Sequence, residues 1–226
     1  MKKIFLLFLC FVSSITFSQE YHFDYFITEK HTDIKPQKRE WINESFYDPF
    51  TNKSLSLRTQ NDKIIGIIYE EENRKRHVFK VDQYKDKLTL TYKFSNQFPK
   101  KRKRKCKNKD VFKVEKIDSL LYDVILFKNS KLNKKKMSTR LKIEKNEFNK
   151  VYFSTENCRD EEVSEKIKKD LDPKFMYIVT SVQKNYHSSG HLFEDKIQKI
   201  QKTSLIIVIP QKLKYKKIDY STDFEE

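Results

Sequence analysis

Between residues 87 and 94 apolar and polar side chains alternate without a break. Leu88, Leu90, Tyr92 and Phe94 fall on one side, and Lys87, Thr89, Thr91 and Lys93 on the other. Successive side chains of an extended chain point to opposite faces, so this pattern predicts a half-buried antiparallel strand. Met137, Thr139, Leu141 and Ile143 repeat it against Ser138, Arg140, Lys142 and Glu144. Leu55 with Leu57, and Phe79 with Val81, do so more briefly. Four further stretches, 64–69, 120–127, 175–179 and 205–209, are apolar on both sides. Their short length and β-branched content predict central strands buried on both faces. Segments 22–27 and 40–47 also read as strands.

Turn signals punctuate these runs. Asn61-Asp62, Asn73-Arg74, Lys85-Asp86 and Asn96-Gln97 recur about a dozen residues apart, the interval of a hairpin meander. Ser188-Ser189-Gly190 predicts another turn, joining the strand that starts near Phe175 to a returning strand over 191–202. Phe193, Ile197 and Ile200 would also suit a helical face, but the turn favours the strand. One helix is predicted over 158–171, where Val163, Ile167 and Leu171 form a narrow apolar stripe. Asn157 is its candidate N-cap. Asp160, Glu161 and Glu162 load the first turn, and Lys168 and Lys169 the last, as the helix dipole favours. Pro173 stops it. The narrow stripe places this helix on the surface or edge of a sheet. The expected fold is mainly β, an antiparallel curved sheet or open barrel of about ten strands with one or two helices.

The first 18 residues read differently. Lys2 and Lys3 precede an unbroken apolar run to Val12, and Thr16 and Ser18 supply the small residues a signal peptidase accepts. A cleaved signal peptide over 1–18 is expected, with the cut after Ser18, leaving a single β-rich domain over 19–226. The run is too short for a permanent helical span, which takes about 20 residues. Leu9 before Cys10 argues against lipidation, so Cys10 leaves with the leader. The expected destination is periplasmic or secreted, in a bacterial cell.

Composition adds three constraints. The chain holds 18 Phe and 12 Tyr, which argues against disorder although 35% of residues are charged. Only 2 Gly are present, so turns must be built from Asn, Asp, Ser and Lys. The formal charge is +16, and +14 once Lys2 and Lys3 are removed. In an oxidising compartment Cys106 and Cys158 form a disulfide candidate. A loop of roughly 50 residues would add about 4 kcal/mol in the chain-entropy model. Two free thiols, or a reactive Cys158 at a helix start, are the alternatives.

Candidate chemistry is sparse. Lys100, Lys101, Arg102, Lys103, Arg104 and Lys105 form a basic run that could hold an anionic glycan, lipopolysaccharide or lipid, or be a solvated loop. Tyr84, Tyr92 and Phe94 lie near it, but their strand positions suit a core, and no nucleic-acid-binding motif is present. His187 and His191 have the spacing of a zinc pair, yet Gly190 breaks the helix that would align them. They remain weak metal candidates, and no metal or cofactor is expected. Glu70-Glu71-Glu72 and Asp160-Glu161-Glu162 sit where a turn and a helix start want solvated charge. Trp41 and Tyr47 with Asp48-Pro49-Phe50 make an aromatic patch suited to stacking on sugars if exposed. No nucleophile elbow or phosphate-cradling glycine loop occurs. The reading is a non-enzymatic binding or accessory protein for a lipid or anionic envelope ligand, carried on the concave sheet face or by the basic loop. An unrecognised hydrolytic enzyme, using His187, His191 or Cys158 with a carboxylate, and a structural or protein-interaction module are the alternatives.

Overall fold

Alternation along the chain becomes one antiparallel sheet. A computed structural model describes residues 19–60, 62–84, 87–98, 110–151, 153 and 160–217. The strands are β1 (Gln19–Lys35), β2 (Arg39–Asp48), β3 (Lys53–Gln60), β4 (Lys63–Glu70), β5 (Lys75–Tyr84) and β6 (Lys87–Gln97). They continue with β7 (Val111–Asp118), β8 (Leu121–Phe127), β9 (Lys135–Asn146), β10 (Met176–Tyr186) and β11 (His191–Ile209). One helix, α1 (Asp160–Lys169), interrupts the series between β9 and β10.

The order across the sheet is β6-β5-β4-β3-β2-β1-β11-β10-β9-β8-β7. The first and last strands therefore pair at the centre, and two meanders run outward from them. The edges, β6 and β7, are consecutive in sequence. The fourteen chain steps from Gln97 at the end of β6 to Val111 at the start of β7 reach at most about 50 Å, barely the roughly 48 Å of ten flat inter-strand spacings. The sheet is curved, since residues of the β4–β5 turn and of α1, which packs over β8–β10, line one cleft. It stays open, since β6 and β7 do not pair.

Two large clusters and a small one fill the inside. Tyr21, Phe23, Phe46, Leu55, Ile68 and Phe79 with Ile207 and Ile209 hold the β1–β5 half to the end of β11. Tyr122, Val124, Leu141, Ile143, Tyr177 and Val179 receive Val163 and Ile167 of α1 on the other half. Ile27, Tyr47, Phe148 and Ile178 bridge the two. A register shift between Phe23 and Tyr25 sorts β1 between these clusters. Strict alternation would put Tyr21, Phe23, Tyr25 and Ile27 on one face. Instead Phe26 joins Tyr21 and Phe23, while Tyr25 joins Ile27.

With few glycines, other residues adopt the left-handed turn conformation. Asn52, Asp62 and Arg74 do so at the β2–β3, β3–β4 and β4–β5 turns, with φ of 56°, 61° and 53°. Gly190, at φ 72°, closes the turn predicted at 188–190, its amide donating to the Tyr186 carbonyl at 2.8 Å. The segment 191–202 is strand, as preferred.

Two local expectations change. Asn96 and Gln97 are not a turn: β6 runs through them, and Asn96 is fully buried, accepting a hydrogen bond from Arg76 Nε at 2.8 Å. The 205–209 segment is covered on one face only, since Ile206 and Val208 are 54% and 53% exposed beside His22 and Glu20 of β1. The helix begins at Asp160 among the described residues. Asn157, Cys158, Cys106, Asn61, Lys85-Asp86, residues 1–18 and the basic run 100–105 lie outside the described residues. No described helix is long and apolar enough to cross a membrane.

Candidate functional site

Where the tips of the β2–β3 and β4–β5 hairpins face α1 and the chain leading into it, a cleft of about 1260 Å³ opens. One wall carries Tyr47 and Thr51 to Ser54, then Tyr69 and the three glutamates after it. The other wall is Asn149 to Val151, the helix residues Asp160, Glu161, Ser164, Glu165 and Lys168, and the chain from Leu171 to Tyr177.

Each wall is fixed from beneath. Asp48 ends β2 and organises the next turn: its Oδ1 accepts the Phe50 amide at 2.9 Å, and its Oδ2 the Thr51 hydroxyl. The Tyr47 hydroxyl donates to Asn52 Oδ1 at 2.8 Å, and the Tyr177 amide donates to Asn149 Oδ1 at 2.9 Å. Lys150 bridges to Ile178, its amide donating to the Tyr177 carbonyl at 2.8 Å, so the chain entering the helix borrows the edge of β10. On α1, Val163 and Ile167 face the core. Ser164, beside them, turns toward the cleft, is 4% exposed, and its hydroxyl has no hydrogen-bond partner.

The acids of the β4–β5 turn divide. Glu71 and Glu72 are exposed, as solvated turn charges should be. Glu70 is 3% exposed, which corrects its reading as solvated. It ends β4 and pairs across to Lys75 at the start of β5, so its side chain is carried inward. Its Oε1 accepts from the Tyr21 hydroxyl and from Gln19 Nε2, and Lys53 Nζ lies 3.9 Å away. His77 Nε2 approaches Oε2 at 3.4 Å without hydrogen-bond alignment. Behind it, His77 Nδ1 meets Ser95 Oγ at 2.7 Å, and Ser95 Oγ meets the Tyr92 hydroxyl at 2.7 Å.

Burial dominates the electrostatics of this chain of groups. It would raise Glu70, but the donors Tyr21 and Gln19, with the His77 ring beside them, outweigh it and hold the carboxyl below its ordinary 4.5. It pushes His77 below 6.5 despite the nearby carboxylate, which favours a neutral ring. It also raises Tyr21, with Glu70 adding to the effect, so the phenol stays a donor. Ser95 and His77 are fully buried, so this Ser–His–Glu array props Glu70 at the cleft wall and offers no reachable nucleophile.

The predicted site residues do not gather here. His187 and His191 lie at the β10–β11 turn, and neither lines the cleft. His187 Nε2 sits 3.1 Å from Ser138 Oγ. Among the described residues no cluster of three or more His, Cys, Asp or Glu is arranged to hold a metal ion. Trp41 is 45% exposed and stacks on His31 at 3.9 Å, far along β2 from the buried Tyr47. The aromatic patch is therefore split. Sequence reading missed Gln19, Tyr21, Ser95 and Ser164. The available signal was the polar break at Ser95-Asn96, just after an alternating strand, where Asn96-Gln97 had predicted a turn.

No protein-family model matches the chain, and no curated protein matches it. Among solved structures it is similar to a DUF1329 family protein from Desulfovibrio piger. The identity is 7%, over 85% of this chain and 89% of that one, with a TM-score of 0.30.

Proposed function

We propose that this chain is an exported, non-enzymatic binding protein that holds a small polar ligand in the cleft between the hairpin tips and α1. The observation that carries the reading is a cleft of about 1260 Å³ whose lining combines tyrosine rings with convergent polar groups. Ligand sites are concave, largely preformed, and oriented by a few fixed polar atoms. The backbone contacts of Asp48, Asn149 and Lys150 supply that preformation.

The lining narrows the ligand classes expected from sequence. An acyl chain wants an apolar tunnel, whereas this cleft is rimmed by charged residues. A polyanion would meet more carboxylates than lysines. The hydrolytic alternative gains no support, since His187 and His191 stand away from the cleft.

Native mass spectrometry of protein recovered from its own host tests the reading. A bound small molecule is expected, and Ser54→Trp, at an exposed position of the cleft wall, should expel it with little change in melting temperature. A bare protein that also fails to shift in melting temperature with amines, sugars and nucleosides would overturn the reading.

A further inference from the structure

The chain is strongly basic, yet its cleft is not. Among the described residues, seven carboxylates line it (Glu70, Glu71, Glu72, Asp160, Glu161, Glu165 and Asp172) against Lys53, Lys150 and Lys168. Over the whole chain 48 Lys and Arg outnumber 32 Asp and Glu, so the cleft inverts the balance of the molecule. The helix dipole accounts for Asp160 and Glu161 in the first turn of α1. It does not reach the exposed Glu71 and Glu72 on the opposite wall, while Glu165, one turn further along, is paired with Lys168 at 2.9 Å.

A second observation is independent of charge. Ser164 is buried on the cleft side of α1 with its hydroxyl unpartnered. Leaving a buried hydroxyl unmatched is unfavourable, so it points to a partner that completes it. A third concerns the rings. Lys150 Nζ lies 5.2 Å from the centroid of Tyr47 and Lys145 Nζ 3.3 Å from that of Phe175, both rings of the cleft lining. Aromatic faces around the cleft already attract ammonium groups of the chain itself.

We propose that the cleft binds a small ligand bearing protonated amines, such as a polyamine, its ammonium groups set between the glutamates of the β4–β5 turn and those of α1 with Ser164 accepting one N–H. This rests on the cleft being a ligand site. A protein of net positive charge repels cations elsewhere on its surface, so binding of this kind would be confined to the cleft.

Titration calorimetry of the purified protein with spermidine at low salt tests the inference. Binding that weakens as salt rises is expected. Combined Glu72→Gln, Glu161→Gln and Glu165→Gln changes, all at exposed positions, should lower affinity about tenfold. Ser164→Ala should lower it further while leaving the protein folded. Spermidine held equally well by the triple variant would overturn the proposal. So would absence of spermidine binding in a protein that takes maltotriose, an outcome that keeps the cleft as a site and removes the amine class. Binding of neither, together with bare protein in the native mass spectrum, would remove the site itself.

Discussion

At Gly66, in the middle of β4, a Cβ would come within 2.9 Å of Leu55 Cδ1 and 3.3 Å of Leu90 Cδ2. Leu55 is fully buried, so it cannot swing away. Gly66→Ala should therefore lower stability by about 1–3 kcal/mol, read by urea denaturation, although alanine is otherwise the better strand residue. The Glu70–His77 pair makes a pH prediction. His77 sits below its free value of 6.5, so the unfolded chain takes up a proton that the native ring resists. Stability then falls as pH drops from 6.5 toward the native value. Glu70 sits below 4.5, so its contribution is present above 4.5 and lost as pH falls through its lower native value. Both slopes have the same sign. Melting temperature should decline on acidification below about pH 6.5. In His77→Gln the leg between 6.5 and 4.5 should flatten.

Among elements, α1 shows how a narrow stripe can still matter. Its two apolar residues are 2% and 0% exposed, and they seal the cluster over β8, β9 and β10. Ile167→Ala should cost about 2–5 kcal/mol in the same denaturation assay, because the cavity lies among strands that cannot collapse into it. Periodicity made this helix, and most strands, legible in advance. Thr139 shows what periodicity can and cannot do. Its place in the alternation of β9 predicted its burial, while its unpartnered hydroxyl was invisible from the spacing. The path of β6 through Ser95 and Asn96 was not legible either. Two polar residues in sequence look like a turn, and only partners on β5 reveal a buried network.

For the whole molecule, the basic run lies in sequence between β6 and β7, the two edge strands of the sheet. If 100–105 hold an anionic partner, the protein should be retained on heparin, and Lys→Ala changes at Lys100, Lys101, Lys103 and Lys105 should abolish retention at moderate salt. Retention that survives them would assign the effect to the charge spread over the remaining chain. Export is tested separately. Protein recovered from its native cell should begin at Gln19, shown by N-terminal sequencing. An intact Met1 would refute the leader and, with it, the oxidising setting assumed for Cys106 and Cys158.

Period-two alternation, the spacing of turn residues and the 163–167–171 stripe were enough to specify a mainly β fold, an antiparallel curved sheet or open barrel with one or two helices, because these patterns report local geometry and the side each residue must bury. The pairing of β1 with β11 at the centre of the sheet depends on contacts between opposite ends of the chain. The bulge that splits Tyr21 and Phe23 from Tyr25 depends on the register of the partner strand. The cleft was decided at the same level. Glu70, Ser164 and Tyr47 come from distant segments, and each looks like turn, helix surface or patch until the curled sheet sets them around one space. Burial and partnership are properties of the packed chain, which is why the fold could be read along the sequence and the site could not.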